Sequence, residues 1–320
     1  MILIGCVQSK YNINCMKVYL NRKPKLGPWG GGTKAVNSLA DLLIQNNHLV
    51  TYDLNENNID IIFCFDPRPN VDGIWYQHFL NYKSMHPQVK IIQRVGDVGT
   101  HNKPELTDLV KQTVHYSDYI IFPSEWAKEY IGYNGVNYSV IHNRPMKQFH
   151  SNKRMNDLGD VINIVTHHWS TNPKKGFDIY EKIDKFCGLD NKFSFTYIGR
   201  KPDNLTFKSS NYIEPKDTEF LANELPKYDI YLTASIEEAG ANHVLEAIAA
   251  GLPVIYHTDG GSIIEYCNEY GVSYENFDDL LNGINYLVEN FYDIKTSVLK
   301  YNDSIGKTIE EYYTIICNVK

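Results

Sequence analysis

The sequence predicts an α/β protein built from two doubly wound parallel-sheet domains that face each other across a cleft. Short, almost continuously apolar strands alternate with amphipathic helical patterns along most of the 320 residues. The alternation runs in two series, separated by the polar stretch 146–160. Strands that are apolar throughout must be covered on both faces, as happens when helices flank a parallel sheet. We therefore expect one domain over 1–150 and a second over 151–300.

The first series contains six predicted strands, and two clear helical patterns lie between them. The strands are predicted at 2–6, 49–53, 59–63, 90–94, 119–122 and 138–141. Apolar residues repeat every three or four positions over 36–43 and again over 106–114, which is the spacing of a helix with one buried face. This order of elements is typical of a Rossmann-like domain.

The second series repeats the pattern. Strands are predicted near 162–166, 194–198, 212–213, 230–233 and 253–256, and helices over 176–186, 218–223, 242–250, 261–269 and 277–290. The closing segment 301–320 also has a helical pattern.

Composition argues against several classes of protein. The chain carries 31 basic and 38 acidic side chains, a formal charge of −7, so we expect no nucleic-acid partner. Its six cysteines show no CxxC pair and no regular spacing, which argues against a zinc site and a disulfide framework and favours a reducing compartment such as the cytoplasm. No apolar run approaches the length of a membrane-spanning helix.

The most informative stretch runs from Glu238 to 255. Two carboxylates eight residues apart bracket a loop of small residues and the start of an apolar helix, which Asn242 is expected to cap. Gly251 is expected to end that helix. A helix start of this kind offers unpaired N–H groups to a diphosphate, and Glu246, about one turn inside, could accept hydrogen bonds from vicinal sugar hydroxyls.

With the sequence DGGSIIE at 259–265, this stretch resembles the retaining GT-B glycosyltransferases of family GT4. The resemblance implies that Glu246 holds the ribose of the donor nucleotide and that Glu238 lies beside the donor sugar. It places the rest of the donor site on Gly240, Ala241, Asn242 and His243. The family usually has an aromatic residue and a glycine where this chain has Gly240 and Ala241. The alternative is an ordinary loop, helix and strand with two solvated glutamates.

Lys175 and Gly176 match the Lys-Gly pair of the same family, whose lysine binds the donor phosphates. The arginine usually found five or six residues earlier is missing, and Trp169 stands near its place. The role then passes to Lys175, to backbone N–H groups, or to an arginine from elsewhere such as Arg200. His168 is expected at the donor site. Its neighbour His167 points to the other face of the strand, so a shared metal is not expected.

A glycine-rich loop precedes the helical pattern at 36–43. The backbone of Gly31 and Gly32 is expected to approach the donor diphosphate or the acceptor, and Trp29 to stack on a sugar or to fill the domain interface. A flexible turn with a helix cap is the alternative.

Asp97 follows the strand at 90–94, near the position where many relatives carry a His or His-Asp pair beside the donor sugar. His101 is expected on the acceptor side, and a surface turn is an almost equal interpretation. The cluster Lys17, Arg22, Lys23 and Lys25 is interpreted as a basic loop that either contacts an anionic membrane or acidic acceptor, or is simply solvated.

Taken together, the resemblance implies retaining transfer of a sugar from a UDP- or GDP-sugar to a hydroxyl of a glycan, glycolipid or glycoprotein, without a metal or other cofactor. It implies a final helix that crosses back to the first domain. A sugar-nucleotide epimerase or phosphorylase, and a sugar-nucleotide-binding protein that has lost turnover, remain alternatives.

Overall fold

The computed structural model describes residues 15–25 and 31–319, which form two six-stranded sheets. Every pair of neighbouring strands in both sheets is parallel. The predicted α/β class with two doubly wound sheets is confirmed. The predicted strand 2–6 and Trp29 lie outside the described residues.

The first sheet has the strand order β2-β1-β3-β4-β5-β6. Its strands are β1 (Lys17–Leu20), β2 (Leu49–Thr51), β3 (Ile61–Cys64), β4 (Lys90–Arg94), β5 (Tyr119–Phe122) and β6 (Tyr138–Val140). Its helices are α1 (Gly31–Gln45), α2 (Tyr76–Met85), α3 (Pro104–Thr113) and α4 (Glu125–Ile131).

Strand β1 corrects the sequence interpretation, which assigned Lys17 to a basic loop. Lys17 begins the strand, and its ammonium pairs with Glu56 at 3.1 Å at the rim of the sheet. The next three residues are buried in the core. The strand is only four residues long and begins with a charged residue, so its apolar pattern was too short to be recognised in the sequence. Arg22 and Lys23 also pair with carboxylates, those of Asp66 and Asp72.

The second sheet has the order β12-β11-β10-β7-β8-β9. Its strands are β7 (Ile162–His168), β8 (Phe193–Gly199), β9 (Asn211–Ile213), β10 (Ile230–Thr233), β11 (Val254–His257) and β12 (Gly271–Tyr274). Its helices are α5 (Phe177–Cys187), α6 (Thr218–Glu224), α7 (Asn242–Ala249), α8 (Ser262–Cys267) and α9 (Phe277–Glu289). Strand β12, an edge strand that contains a glycine and a serine, was not predicted from the sequence.

Two further helices follow, α10 (Phe291–Lys300) and α11 (Ile305–Asn318). Helix α11 packs against α1, and its buried Ile309, Tyr312 and Ile316 belong to the core of the first sheet. Arg144, which follows β6, makes two hydrogen bonds to Glu311, at 2.9 and 3.1 Å. This charged pair fastens α11 to the first domain.

Candidate functional site

The two sheets meet at a short segment, 237–240, that follows β10. Three side chains from loops after strands of the first sheet donate hydrogen bonds to its carbonyl groups. They are Thr100 to Glu237 at 2.7 Å, Ser124 to Ala239 at 2.8 Å and Asn143 to Gly240 at 3.1 Å. These loops leave the carboxyl ends of their strands, where ligands bind in open α/β sheets. The contacts fix the position of Glu238 between the two domains.

Glu238 forms a buried ion pair with Lys175. The Lys175 ammonium lies 2.5 Å from a Glu238 carboxylate oxygen, and the two side chains are 12% and 13% exposed. Burial alone would raise the pKa of Glu238, but the adjacent Lys175 ammonium lowers it to about 2. Glu238 is therefore ionised at neutral pH.

Glycines on both sides make this pair possible. Gly176 lies at φ +76°, and a Cβ there would come within 2.4 Å of the Ala234 carbonyl oxygen. Gly261 lies at φ +67°, and a Cβ there would come within 2.6 Å of the Glu238 carbonyl oxygen. Both positions require the left-handed backbone and the close approach that glycine permits.

Glu246 faces the same cavity from the second turn of α7. One carboxylate oxygen lies 2.9 Å from Nε2 of His167, and the other lies 3.8 Å from the ammonium of Lys34. Lys34 belongs to α1 of the first domain and also donates to Thr218 at 2.9 Å. No role was predicted for Lys34 or His167, because each lies far from Glu246 in the sequence.

The start of α7 differs from the prediction that Asn242 caps it. Ala241 occupies the cap position and no side chain caps the helix. Instead, the N–H of Ala241 donates to the hydroxyl of Ser262 at 3.1 Å. The first turn of α7 therefore offers backbone N–H groups without a side-chain partner, the arrangement that binds phosphate.

The space between these groups is a cavity of about 210 Å³, which we call the donor cavity. It is lined by Lys34, His167, His168, Trp169, Ser170, Lys175, Thr218, Leu221, Glu238, Gly240, Ala241, Asn242, His243 and Glu246. Of the predicted residues, it brings together Glu238, Lys175, Glu246, Gly240, Ala241, Asn242, His243 and His168. Gly240 is pressed against the first domain, since a Cβ there would lie 2.6 Å from Nδ2 of Asn143.

The buried His168 and the half-buried His243 both line the donor cavity. Nε2 of His168 lies 2.6 Å from the Tyr180 hydroxyl, and Nε2 of His243 lies 2.9 Å from the Thr233 hydroxyl. Burial holds the pKa of both rings well below their usual range, so both are neutral at pH 7. Nδ1 of His168 is buried and has no hydrogen-bond partner among the described residues. Most buried polar atoms of proteins have such a partner.

A second and larger cavity, of about 590 Å³, lies on the first domain, and we call it the acceptor-side cavity. Gly32 and Asp97 line it, and it meets the donor cavity at Gly240 and Asn242. Asp97 pairs with Lys103 at 2.7 Å and accepts the Gly99 N–H at 2.9 Å. Burial opposes ionisation of this carboxyl, but these hydrogen bonds hold its pKa below the usual range.

The remaining predicted residues lie around these cavities. Gly31 begins α1, and Nε2 of His101 lies 3.0 Å from the Ile236 carbonyl oxygen, just before the segment 237–240. Arg200 lies over the Trp169 ring, 5.8 Å from its centre, and lines neither cavity. Over 15–25 and 31–319, there is no group of three metal-ligating side chains and no helix long and apolar enough to cross a membrane.

Two Rossmann-like sheets with a ligand-sized cleft between their carboxyl ends define the GT-B fold, and solved glycosyltransferases share it with this chain. HepE from Anabaena, in complex with UDP and glucose, has a TM-score of 0.67 at 12% identity, over 95% of this chain and 99% of its own. A glycosyltransferase from Rickettsia africae has the same TM-score at 15% identity, over 95% and 98%.

The sucrose-phosphate synthase from Thermosynechococcus elongatus has a TM-score of 0.65 at 12% identity, over 94% of this chain and 99% of its own. No protein-family model and no curated protein sequence matches the chain. The likeness in structure therefore establishes the GT-B fold.

Proposed function

We propose that the chain is a retaining glycosyltransferase that moves a sugar from a UDP- or GDP-sugar to a hydroxyl of a glycan, glycolipid or glycoprotein acceptor. The observation that carries the proposal is the donor cavity, where the Glu238–Lys175 pair, Glu246 and the uncapped start of α7 converge. HepE, which has the same fold, was solved with UDP-glucose as well as with UDP.

Each part of a nucleotide sugar has a matching group in this cavity. The N–H groups of the first turn of α7 and the ammonium of Lys175 suit the diphosphate. Glu246 suits the vicinal hydroxyls of the ribose. Glu238 is ionised beside Lys175 and would stabilise positive charge on the sugar.

The reaction that fits is departure of the nucleoside diphosphate with an oxocarbenium-like transition state. Lys175 would stabilise the negative charge that builds on the leaving phosphate, as a preorganised charge does. The incoming hydroxyl would attack from the face the phosphate leaves, and the departing phosphate oxygen would take its proton. Because an ammonium and backbone N–H groups supply the positive charge, this scheme needs no metal ion.

The test is binding and turnover with a panel of nucleotide sugars. Those the protein binds should raise its melting temperature by mass action, and Glu238→Gln should remove turnover while leaving that shift in place. Glu237→Gln is the control, since Glu237 is the adjacent residue but pairs with Lys174.

No shift with any nucleotide sugar would overturn the proposal. A shift without transfer or donor hydrolysis would instead identify a sugar-nucleotide-binding protein. Isomerisation of the donor sugar without an acceptor, with the nucleotide still attached, would identify an epimerase.

A further inference from the structure

Arg94, at the end of β4, lines the acceptor-side cavity but is only 7% exposed. Its Nε donates to the Tyr312 hydroxyl at 3.1 Å, and its Nη2 donates to Oδ1 of Asn143 at 3.1 Å. Both partners are neutral, and Arg94 takes part in none of the ion pairs of the described residues. Burying a guanidinium without a counter-charge lowers the free energy of unfolding, and a bound anion would offset that cost.

The position of the guanidinium depends on a glycine two residues later. A Cβ at Gly96 would lie 2.2 Å from Nη1 of Arg94, so any side chain there would displace the group. The backbone of Gly96 does not require glycine, because its φ is not in the left-handed region. The absent side chain therefore makes room for the guanidinium beside the cavity.

The lining of the cavity around Arg94 has an excess of basic side chains, whereas the chain as a whole has an excess of acidic ones. The lining includes five basic side chains and three acidic ones, although the whole chain has a formal charge of −7. The basic residues are Arg22, Lys23, Lys25, Arg68 and Arg94, and the acidic ones are Asp66, Asp72 and Asp97. Asp66 pairs with Arg22 and Arg68, Asp72 with Lys23 and Asp97 with Lys103, so none of these three carboxylates pairs with Arg94.

From these observations we infer that the acceptor of this enzyme carries an oxyanion, a phosphate or a carboxylate, which Arg94 binds. The inference rests on the proposed transferase function, since it assigns the acceptor of the same site. The hydrogen bonds of the described residues use two of the five guanidinium N–H groups. Those that remain suit the paired oxygens of a phosphate or carboxylate.

Asn143 links this anion site to the donor side. Its Oδ1 accepts from Arg94, and its Nδ2 donates to the carbonyl of Gly240. An anion held at Arg94 would therefore lie next to the loop that joins Glu238 to α7. This places the body of the acceptor where the two cavities meet, with its hydroxyl toward the donor.

The test uses calorimetry on the full chain. UDP and GDP are titrated first, and the nucleotide that binds is then kept at saturation so that it fills the donor cavity. Glucose 6-phosphate, glucuronate, inorganic phosphate and glucose are titrated next. We expect the phosphate or the carboxylate probe to bind and glucose to bind much more weakly. Arg94→Gln should weaken the anionic probe at least about tenfold and leave nucleotide affinity unchanged.

Two further variants keep the test informative if Arg94→Gln unfolds. Gly96→Ala retains the charge but displaces the guanidinium, and it should also weaken the anionic probe. Arg154→Gln removes an exposed arginine outside both cavities and should change nothing.

Equal binding of the anionic probe by wild type and Arg94→Gln would overturn the inference. So would a loss of nucleotide affinity in Arg94→Gln, which would assign Arg94 to the donor diphosphate. Anion binding that depends on Arg94 in a protein that binds no nucleotide would support the anion site and refute the transferase.

Discussion

Replacing Lys175 with methionine should destabilise the protein by at least about 3 kcal/mol at pH 7. In the folded protein the pKa of Glu238 is lowered from its ordinary 4.5 to about 2. At about 1.4 kcal/mol for each pKa unit, that interval corresponds to about 3 kcal/mol of stabilisation of the charged form. Methionine keeps the length of the lysine stem but leaves the Glu238 carboxylate buried without its partner.

The sign of the pH dependence follows from the lowered pKa. A carboxyl whose pKa is lower in the folded than in the unfolded state contributes its full stabilisation above the unfolded value. That contribution is lost as the pH falls from 4.5 toward 2, because the proton then binds in both states. The difference in unfolding free energy between wild type and Lys175→Met should therefore shrink across this interval.

Urea unfolding of both proteins at a series of pH values measures this difference directly. Lys174→Met is the matched control, because the neighbouring Lys174–Glu237 pair is more open, with side chains 29% and 38% exposed. Lys174→Met should lower the free energy of unfolding by less than about 1 kcal/mol. A pH-independent difference, or equal costs for the two lysine variants, would refute the reasoning. Adding Glu238→Gln to Lys175→Met should recover part of the lost stability.

Five further results are expected. Glu246→Ala should weaken nucleotide binding at least about tenfold in calorimetry, whereas Glu289→Ala, on an exposed position of α9, should not. Lys175→Ala should slow transfer by about a hundredfold in an initial-rate assay, and the idea fails if Lys174→Ala is the damaging variant. Gly176→Ala should lower the unfolding free energy by at least about 1 kcal/mol, measured in urea. Transfer should survive EDTA, and NMR of the product should show the donor's anomeric configuration; inversion would exclude a retaining reaction.

Local sequence patterns predicted the parts of the structure that depend on local physics. The continuously apolar strands are recognisable because both faces of each are covered, and Gly251, at φ +90°, ends α7 as expected. Strand β1 was missed because its first residue is a lysine that pairs at the sheet rim. The edge strand β12 lacks the apolar continuity on which the prediction relied.

The contacts of the candidate site join segments that are distant in the chain. The spacing of residues within one segment does not predict such contacts. Lys34 contacts Glu246 from the other domain, and His167 contacts it from β7 of the same domain. Asn242 was wrongly expected to cap α7. The hydroxyl of Ser262, from α8, supplies the hydrogen bond to Ala241 instead. The residue types at the site were thus recognisable, whereas most of their partners were not.

The packing of α11 on α1 has a consequence for how the protein folds during synthesis. Residues 305–318 leave the ribosome only after the entire second sheet, yet they bury Ile309, Tyr312 and Ile316 in the core of the first sheet. Until then the nascent first domain exposes an apolar groove along α1. The half of the molecule that is made first therefore completes its core last.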